Sequence, residues 1–218
     1  LLIKQLLKPA LIHSPDQEIV YKDKIRYNYT TLSKRIARLA NALGDLGVQQ
    51  GDTVAVMDWD SHRYLECFFA VPMIGAVLHT INIRLSAEQL IYTINHAQDD
   101  IILVNSEFLP MLEAVKDQLA SVKKIIILSD EKCPLKTSLK IDGEYEAMIG
   151  VCSDSYEYPD FDENAMATCF YTTGTTGLPK GTMMTHLNYI NMGVRITQVD
   201  PLEETDEYVS FLPFAWIG

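Results

Sequence analysis

The chain has 218 residues, 48% of them hydrophobic, with 29 acidic against 18 basic side chains and a formal net charge of -11. That apolar share is ample for a packed core, and nothing in the composition suggests disorder or a fibrous repeat. An acidic surplus repels a phosphate backbone and excludes a nucleic-acid partner, but leaves room for a nucleotide held by a local nest of backbone N–H groups.

Tyr21 to Tyr29 alternates loosely and reads as a hairpin about Lys22-Asp23-Lys24. Thr30 or Thr31 is placed to cap a helix with Leu32, Ile36, Leu39, Ala40, Leu43 and Leu46 along one face, and Gly47 falls just past its end. Gly51-Asp52 is a turn, and residues 54–57 form a short buried strand. Ser61 opens a second helix through Cys67 and Phe69, which Pro72 is expected to break or bend. Residues 76–81 read as a strand. Ser86-Ala87-Glu88-Gln89 has the form of a capping box, and its helix runs to about His96. A strand over 101–104, a helix over 111–119 and a strand over 124–128 follow.

These strands are short and continuously apolar, so both their faces are covered. The predicted fold is α/β, a mainly parallel sheet flanked by helices on both faces, with right-handed crossovers. Residues from about 48 to 128 make the first sheet region. The stretch 129–163, rich in Asp, Glu, Ser, Tyr and Pro, reads as a surface excursion or linker. Residues 164–218 hold the segment with the chemistry. The longest apolar run, 67–78, contains Pro72 and Gly75 and is too short for a transmembrane segment. Cys67, Cys133, Cys152 and Cys169 include no CxxC pair and no zinc-like spacing to His, and read as reduced structural thiols of a cytoplasmic protein. The missing initiator Met and the ending at Ile217-Gly218 read as cuts in a longer protein.

Residues 167–171 form a strand candidate that runs into Thr172-Thr173-Gly174-Thr175-Thr176-Gly177-Leu178-Pro179-Lys180-Gly181, after which Thr185 is placed to cap a helix beginning near Leu187. Strand, glycine- and hydroxyl-rich loop, then helix is an order used to bind phosphate. Gly174, Gly177 and Gly181 permit left-handed backbone and close approach of the main chain to an anion. The Thr hydroxyls donate to phosphate oxygens or bind a bridging metal, Lys180 supplies a compact positive charge, and Pro179 restricts the loop. Lys180 follows Pro179 and precedes Gly181, so this is not the Walker loop, and no G-x-G-x-x-G is present. The plain alternative is a Thr/Gly-rich surface turn, against which stand four Thr, three Gly, one Pro and one Lys in fixed order. His62, His79, His96 and His186 read as structural, with His186, soon after the loop, the best placed to support it.

The sequence TTGTTGLPKG resembles the signature loop of the adenylate-forming superfamily, which includes acyl- and aryl-CoA ligases, peptide-synthetase adenylation domains and beetle luciferases. Asn28-Tyr29-Thr30-Thr31-Leu32, Gly51-Asp52-Thr53-Val54-Ala55 and the stretch from Gly75-Ala76-Val77 to Asn82-Ile83-Arg84-Leu85 are similar to further motifs of that superfamily, and the wording around His79 and His96 is nearest its medium- and long-chain fatty acyl-CoA ligases. The resemblance implies part of the large amino-terminal domain of such an enzyme, with the carboxy-terminal domain absent and the fragment alone inactive. It implies that a carboxylate attacks the α-phosphorus of ATP to give acyl-AMP and pyrophosphate, and that coenzyme A then displaces AMP. By the same resemblance Thr172, Thr173, Gly174, Thr175, Thr176, Gly177 and Lys180 hold the triphosphate, with Lys180 as phosphate stabiliser. Mg²⁺ bridges phosphate oxygens, with Thr175 as a ligand. Trp216 stands where many members carry a His, and is either a packed loop aromatic or a wall of the acyl pocket. The expected partners are a carboxylic acid, fatty acyl in kind, and a second copy in a homodimer. The alternatives are a carrier-protein thiol as acceptor, or a nucleotide-binding module without activity.

Overall fold

Two glycines fix where the first pair of core helices stop. A computed structural model describes residues 1–130, 136–172, 177–201, 203 and 205–216, with the backbone alone of Trp216. Gly47 and Gly75 both have φ of +87°, and each closes a helix. The Gly47 N–H donates to Gly44 O and the Val48 N–H to Leu43 O; Gly75 and Ala76 repeat the pattern on Pro72 O and Val71 O. This paired closure satisfies the last carbonyls of a helix, and a left-handed residue is what it requires.

The chain opens with helix α1 (Lys4–His13) and a hairpin of β1 (Glu18–Tyr21) and β2 (Ile25–Asn28). Then follow α2 (Tyr29–Asp45), β3 (Thr53–Met57), α3 (His62–Met73), β4 (Val77–Thr80), α4 (Ala87–Ala97), β5 (Asp99–Asn105), α5 (Leu109–Val115) and β6 (Lys124–Leu128). The remainder is β7 (Gly143–Glu144), α6 (Tyr145–Gly150), β8 (Met166–Thr172), β9 (Lys180–Thr185), α7 (His186–Val199) and a 3₁₀ turn, Phe214–Trp216. Apart from the first hairpin, the strands form one sheet in the order β7-β6-β5-β3-β4-β8-β9. Every neighbouring pair is parallel except β8 with β9, which is antiparallel. Helices cover both faces, as expected. Val54, Val56, Leu103 and Leu128 pack with α2, α3 and α6 on one side. Ala55, Met57, Ile102, Val104 and Ile127 pack with α4 and α5 on the other. The period of two in each strand sorts its residues between the two cores.

Several local expectations change. Asn28, not Thr30 or Thr31, caps α2, its side chain accepting from the Thr31 N–H. A residue ahead of the helix with extended backbone reaches the first free N–H groups, whereas Thr30 and Thr31 are already helical. Pro72 does not break α3, which runs on to Met73 and is ended by Gly75. Ser61 and the Ser86–Gln89 capping box act as expected. The stretch 129–163 contributes β7, which pairs with β6 at the sheet edge, and α6, whose Tyr145 and Ile149 are buried. Residues 151–163 are mostly exposed, in keeping with their polar composition. Among the described residues no helix is long and apolar enough to cross a membrane, and Cys67, Cys152 and Cys169 are free; Cys133 lies outside the described residues.

A buried charge network ties α2, α3 and α6 together beneath the first hairpin. Glu66 on α3 is fully buried and accepts from Arg35 Nε at 2.6 Å, Tyr145 Oη at 2.6 Å and Tyr27 Oη at 2.8 Å. Arg35 also grips both oxygens of Glu146 at 2.8 and 3.0 Å, and Arg63 joins the same carboxylate at 2.9 Å. Burial alone would push Glu146 up, but hydrogen bonds from His62, Arg35 and Arg63 outweigh it and hold the carboxyl well below the usual range. Removing one member leaves the others desolvated without a partner. Glu66→Ala should therefore lower the unfolding free energy by about 3–5 kcal/mol in urea titration, with Glu66→Gln losing less because it still accepts.

Candidate functional site

Of the residues singled out in the sequence, Thr172 and Lys180 lie at the carboxyl end of the parallel strands. β8 runs parallel to β4, with Leu78 opposite Thr168 and Thr80 opposite Phe170, so Thr172 emerges on the same rim as the ends of β3, β4, β5 and β6. Open α/β sheets bind ligands along this rim. At the crevice between β3 and β5, where the crossovers diverge in direction, side chains fill the space. Asn105 donates to Asp58 at 2.7 Å, Ser61 bonds the same carboxylate, and Trp59 Nε1 donates to Glu107 at 3.1 Å. The rim beyond β8 is differently built.

There the chain leaves β8 at Thr172 and returns in β9 at Lys180, and these two residues are paired across the hairpin. The Thr172 hydroxyl makes one long contact, 3.5 Å, to Lys180 O, and both residues are exposed. Among the described residues no carboxylate pairs with Lys180, whereas Arg35, Arg63, Lys24 and Lys123 each have one. Gly177 has φ of +98°, and a Cβ built on it would meet nothing within 4 Å. An exposed cation, an exposed hydroxyl and a left-handed glycine facing open space, set at the mouth of one connection, fit an anionic ligand. Thr173, Gly174, Thr175 and Thr176 lie outside the described residues, so the expected phosphate contacts of all four and the metal ligand expected in Thr175 fall there too. Trp216 sits in the turn Phe214–Trp216, its side chain also outside.

The order expected after the loop, helix directly following, is corrected. β9 intervenes, and α7 starts at the opposite end of that strand. Thr185 caps α7 as expected, in a capping box with Asn188. Six strand residues at about 3.4 Å each put the helix N-terminus roughly 20 Å from the loop, too far for its dipole to act there. The connection from β8 to β9 is therefore a hairpin that the α7 dipole does not reach. Gly181 is also corrected: it is not among the left-handed glycines but lies in β9, and its missing side chain makes room for the Tyr171 ring, 3.3 Å from where a Cβ would be.

His186 moves away from the loop for the same reason. It is fully buried at the far end of β9, where its Nδ1 accepts from the Ile3 N–H at 3.2 Å and its ring meets Phe161. His62 lies beside Glu146, and His79 shares a buried pair with Asp99 at 2.8 Å. His96 is hydrogen-bonded at the loop's base, its Nδ1 lying 2.7 Å from Tyr171 Oη. Sequence reading set both Tyr171 and His96 aside; the available signal was an aromatic hydroxyl immediately before the loop. No group of three or more His, Cys, Asp or Glu gathers as a metal site among the described residues.

The family model described as AMP-binding enzyme matches residues 9–218. A long-chain-fatty-acid–CoA ligase of Thermus thermophilus is 38% identical over 192 residues, which cover 86% of this chain and 34% of that protein. A 3-methylmercaptopropionyl-CoA ligase of Ruegeria lacuscaerulensis is 35% identical over 190 residues, covering 85% of this chain and 35% of that protein. The solved structure of the anthranilate CoA ligase AuaEII in complex with anthranoyl-AMP shares the fold with a TM-score of 0.81 at 22% identity, over 92% of this chain and 37% of its own. The chain thus spans about a third of the length of the curated relatives it matches, 34% and 35% for the two above.

Burial lowers the His186 imidazole to about 4, because protonation would charge a dry site and set a proton against the Ile3 N–H. Between an unfolded value of about 6.5 and the folded one, the unfolded chain binds the extra proton. Stability held above pH 6.5 should therefore fall as the pH drops toward 4. Urea midpoints at pH 7 and pH 5 should differ more for the native protein than for His186→Gln.

Proposed function

The chain belongs to the AMP-binding enzyme family, and from that premise we propose that it is the triphosphate-binding part of an ATP-dependent carboxylate–CoA ligase acting on a fatty or similar acyl acid. The observation that carries this is the rim hairpin, with exposed Thr172, open Gly177 and, among the described residues, no carboxylate on Lys180, all around one connection. The names of the relatives, a long-chain-fatty-acid–CoA ligase and a 3-methylmercaptopropionyl-CoA ligase, support an aliphatic acid and coenzyme A as thiol.

In this reading the reaction is positioning and charge stabilisation at phosphorus. Lys180 and the Thr172 hydroxyl bind phosphate oxygens of ATP, and the positive φ at Gly177 keeps the main chain close to them. Thr173, Gly174, Thr175 and Thr176, by the family resemblance, bind the same triphosphate. Mg²⁺, when bound, would neutralise phosphate charge, and the Thr175 hydroxyl is the group that would hold it. The substrate carboxylate attacks the α-phosphorus, pyrophosphate leaves, and the coenzyme A thiolate then displaces AMP from the acyl-adenylate. Trp216 stands as a wall of the acyl site. The protein acts in the cytoplasm, and a homodimer is compatible with this use of the rim.

The full-length protein should exchange pyrophosphate into ATP only when a carboxylic acid is present. A panel of acids should rank aliphatic chains first, and coenzyme A should outperform a carrier-protein thiol as acceptor. Exchange independent of acid would reduce the protein to a nucleotide binder. Lys180→Ala should weaken kcat/KM for ATP on the order of tenfold to a hundredfold, the worth of a charged hydrogen bond. Gly177→Ala should lose ATP affinity as well, with about 1–2 kcal/mol of backbone strain seen as a lower unfolding midpoint.

A further inference from the structure

Tyr171 is the last buried residue before the loop, 7% exposed, while Thr172 beside it is exposed. Its backbone is fixed on one side, where it pairs with Gly181 in β9. Its side chain is fixed on every other side. The phenol oxygen lies 2.7 Å from His96 Nδ1 in the last turn of α4. The rings of His96 and Tyr92 meet the Tyr171 ring edge-on at 5.8 and 6.4 Å, and those two rings stack on each other at 5.2 Å. The His79 ring, held by Asp99, sits 5.2 Å away on β4. From β9 the Gly181 backbone approaches so closely that a Cβ there would come within 3.3 Å of Cε1 and Cζ. Burial pushes the phenol pKa up, so Tyr171 keeps its proton, and its hydroxyl shares one hydrogen bond with His96 Nδ1.

We propose that Tyr171 and His96 are positioning residues for the phosphate loop. Their bond anchors α4 to the strand end from which the loop departs, and so sets the direction in which Thr172 and the following residues meet the nucleotide. This rests on the loop reading above. A side chain clamped one residue before a binding residue fixes the direction in which the chain leaves the strand, and such pre-organisation raises affinity. Neither side chain needs to touch ATP.

The test is steady-state kinetics on the full-length protein. Tyr171→Phe keeps the ring and its packing but removes the bond. It should raise KM for ATP about two- to tenfold, the worth of one neutral hydrogen bond, with KM for the carboxylic acid unchanged. His96→Ala should raise it similarly, and the double variant should be no worse than the poorer single one, because both remove the same bond. Gly181→Ala, which displaces the ring from below, should shift KM for ATP in the same direction. A lowered unfolding midpoint with KM for ATP unmoved, or equal weakening of ATP and acid, would make Tyr171 and His96 structural only and overturn the proposal. Lys180→Ala run in parallel separates the two readings. If it weakens ATP while Tyr171→Phe does not, the positioning proposal alone fails. If Lys180→Ala is silent, the loop reading fails and this one with it.

Discussion

The parallel pairing of β8 with β4 is the constraint on which the candidate site depends. Leu78, His79 and Thr80 face Thr168, Cys169 and Phe170, and this register delivers Thr172 to the rim where β3, β4, β5 and β6 also end. Cys169 and Tyr171, two residues apart, share the α4 side, while Ala167 joins the core of α2 and α3 where the β8–β9 register shifts between Met166 and Thr168. A slip of one residue would turn Tyr171 away from His96 and leave the loop without its anchor. Position and anchorage of the loop are thus a single fact of strand register.

The fold was legible in the sequence where local pattern and tertiary packing agree. Lys124–Leu128 is a strand because its apolar residues pack on both faces, and the capping box at Ser86 and the glycines at 47 and 75 act through backbone geometry alone. Legibility failed where a long-range partner decides. Lys180–Thr185 reads KGTMMT, with little strand propensity, and becomes β9 because β8 offers it an edge. Gly143-Glu144 becomes β7 because β6 does the same. Within the candidate site, residue types gave the loop and Lys180. They did not give Tyr171 with His96, which lie 75 positions apart in the chain.

The ion-pair network around Glu66 complements the apolar cores. It joins α2, α3 and α6 through groups that accept few other partners, and it does so where the polar stretch after β6 rejoins the fold. Such a cluster adds little net stability over well-packed hydrocarbon, yet it penalises a misplaced α6 severely. Its Arg63 also reaches Asp130, which holds Lys24 of the turn between β1 and β2, so the small amino-terminal hairpin is located by charge as well as by contact.

The ring above Gly181 changes how the glycine-rich run should be weighed. A string of small residues beside a nucleotide is readily credited as a whole to the ligand. Here one of its members, Gly181, lies beside an aromatic ring, and a Cβ there would sit 3.3 Å from Tyr171, closer than ordinary contact. The absence of a side chain at 181 is then accounted for by packing against Tyr171 alone. Variation at 181 would track the bulk at 171, whatever molecule occupies the rim.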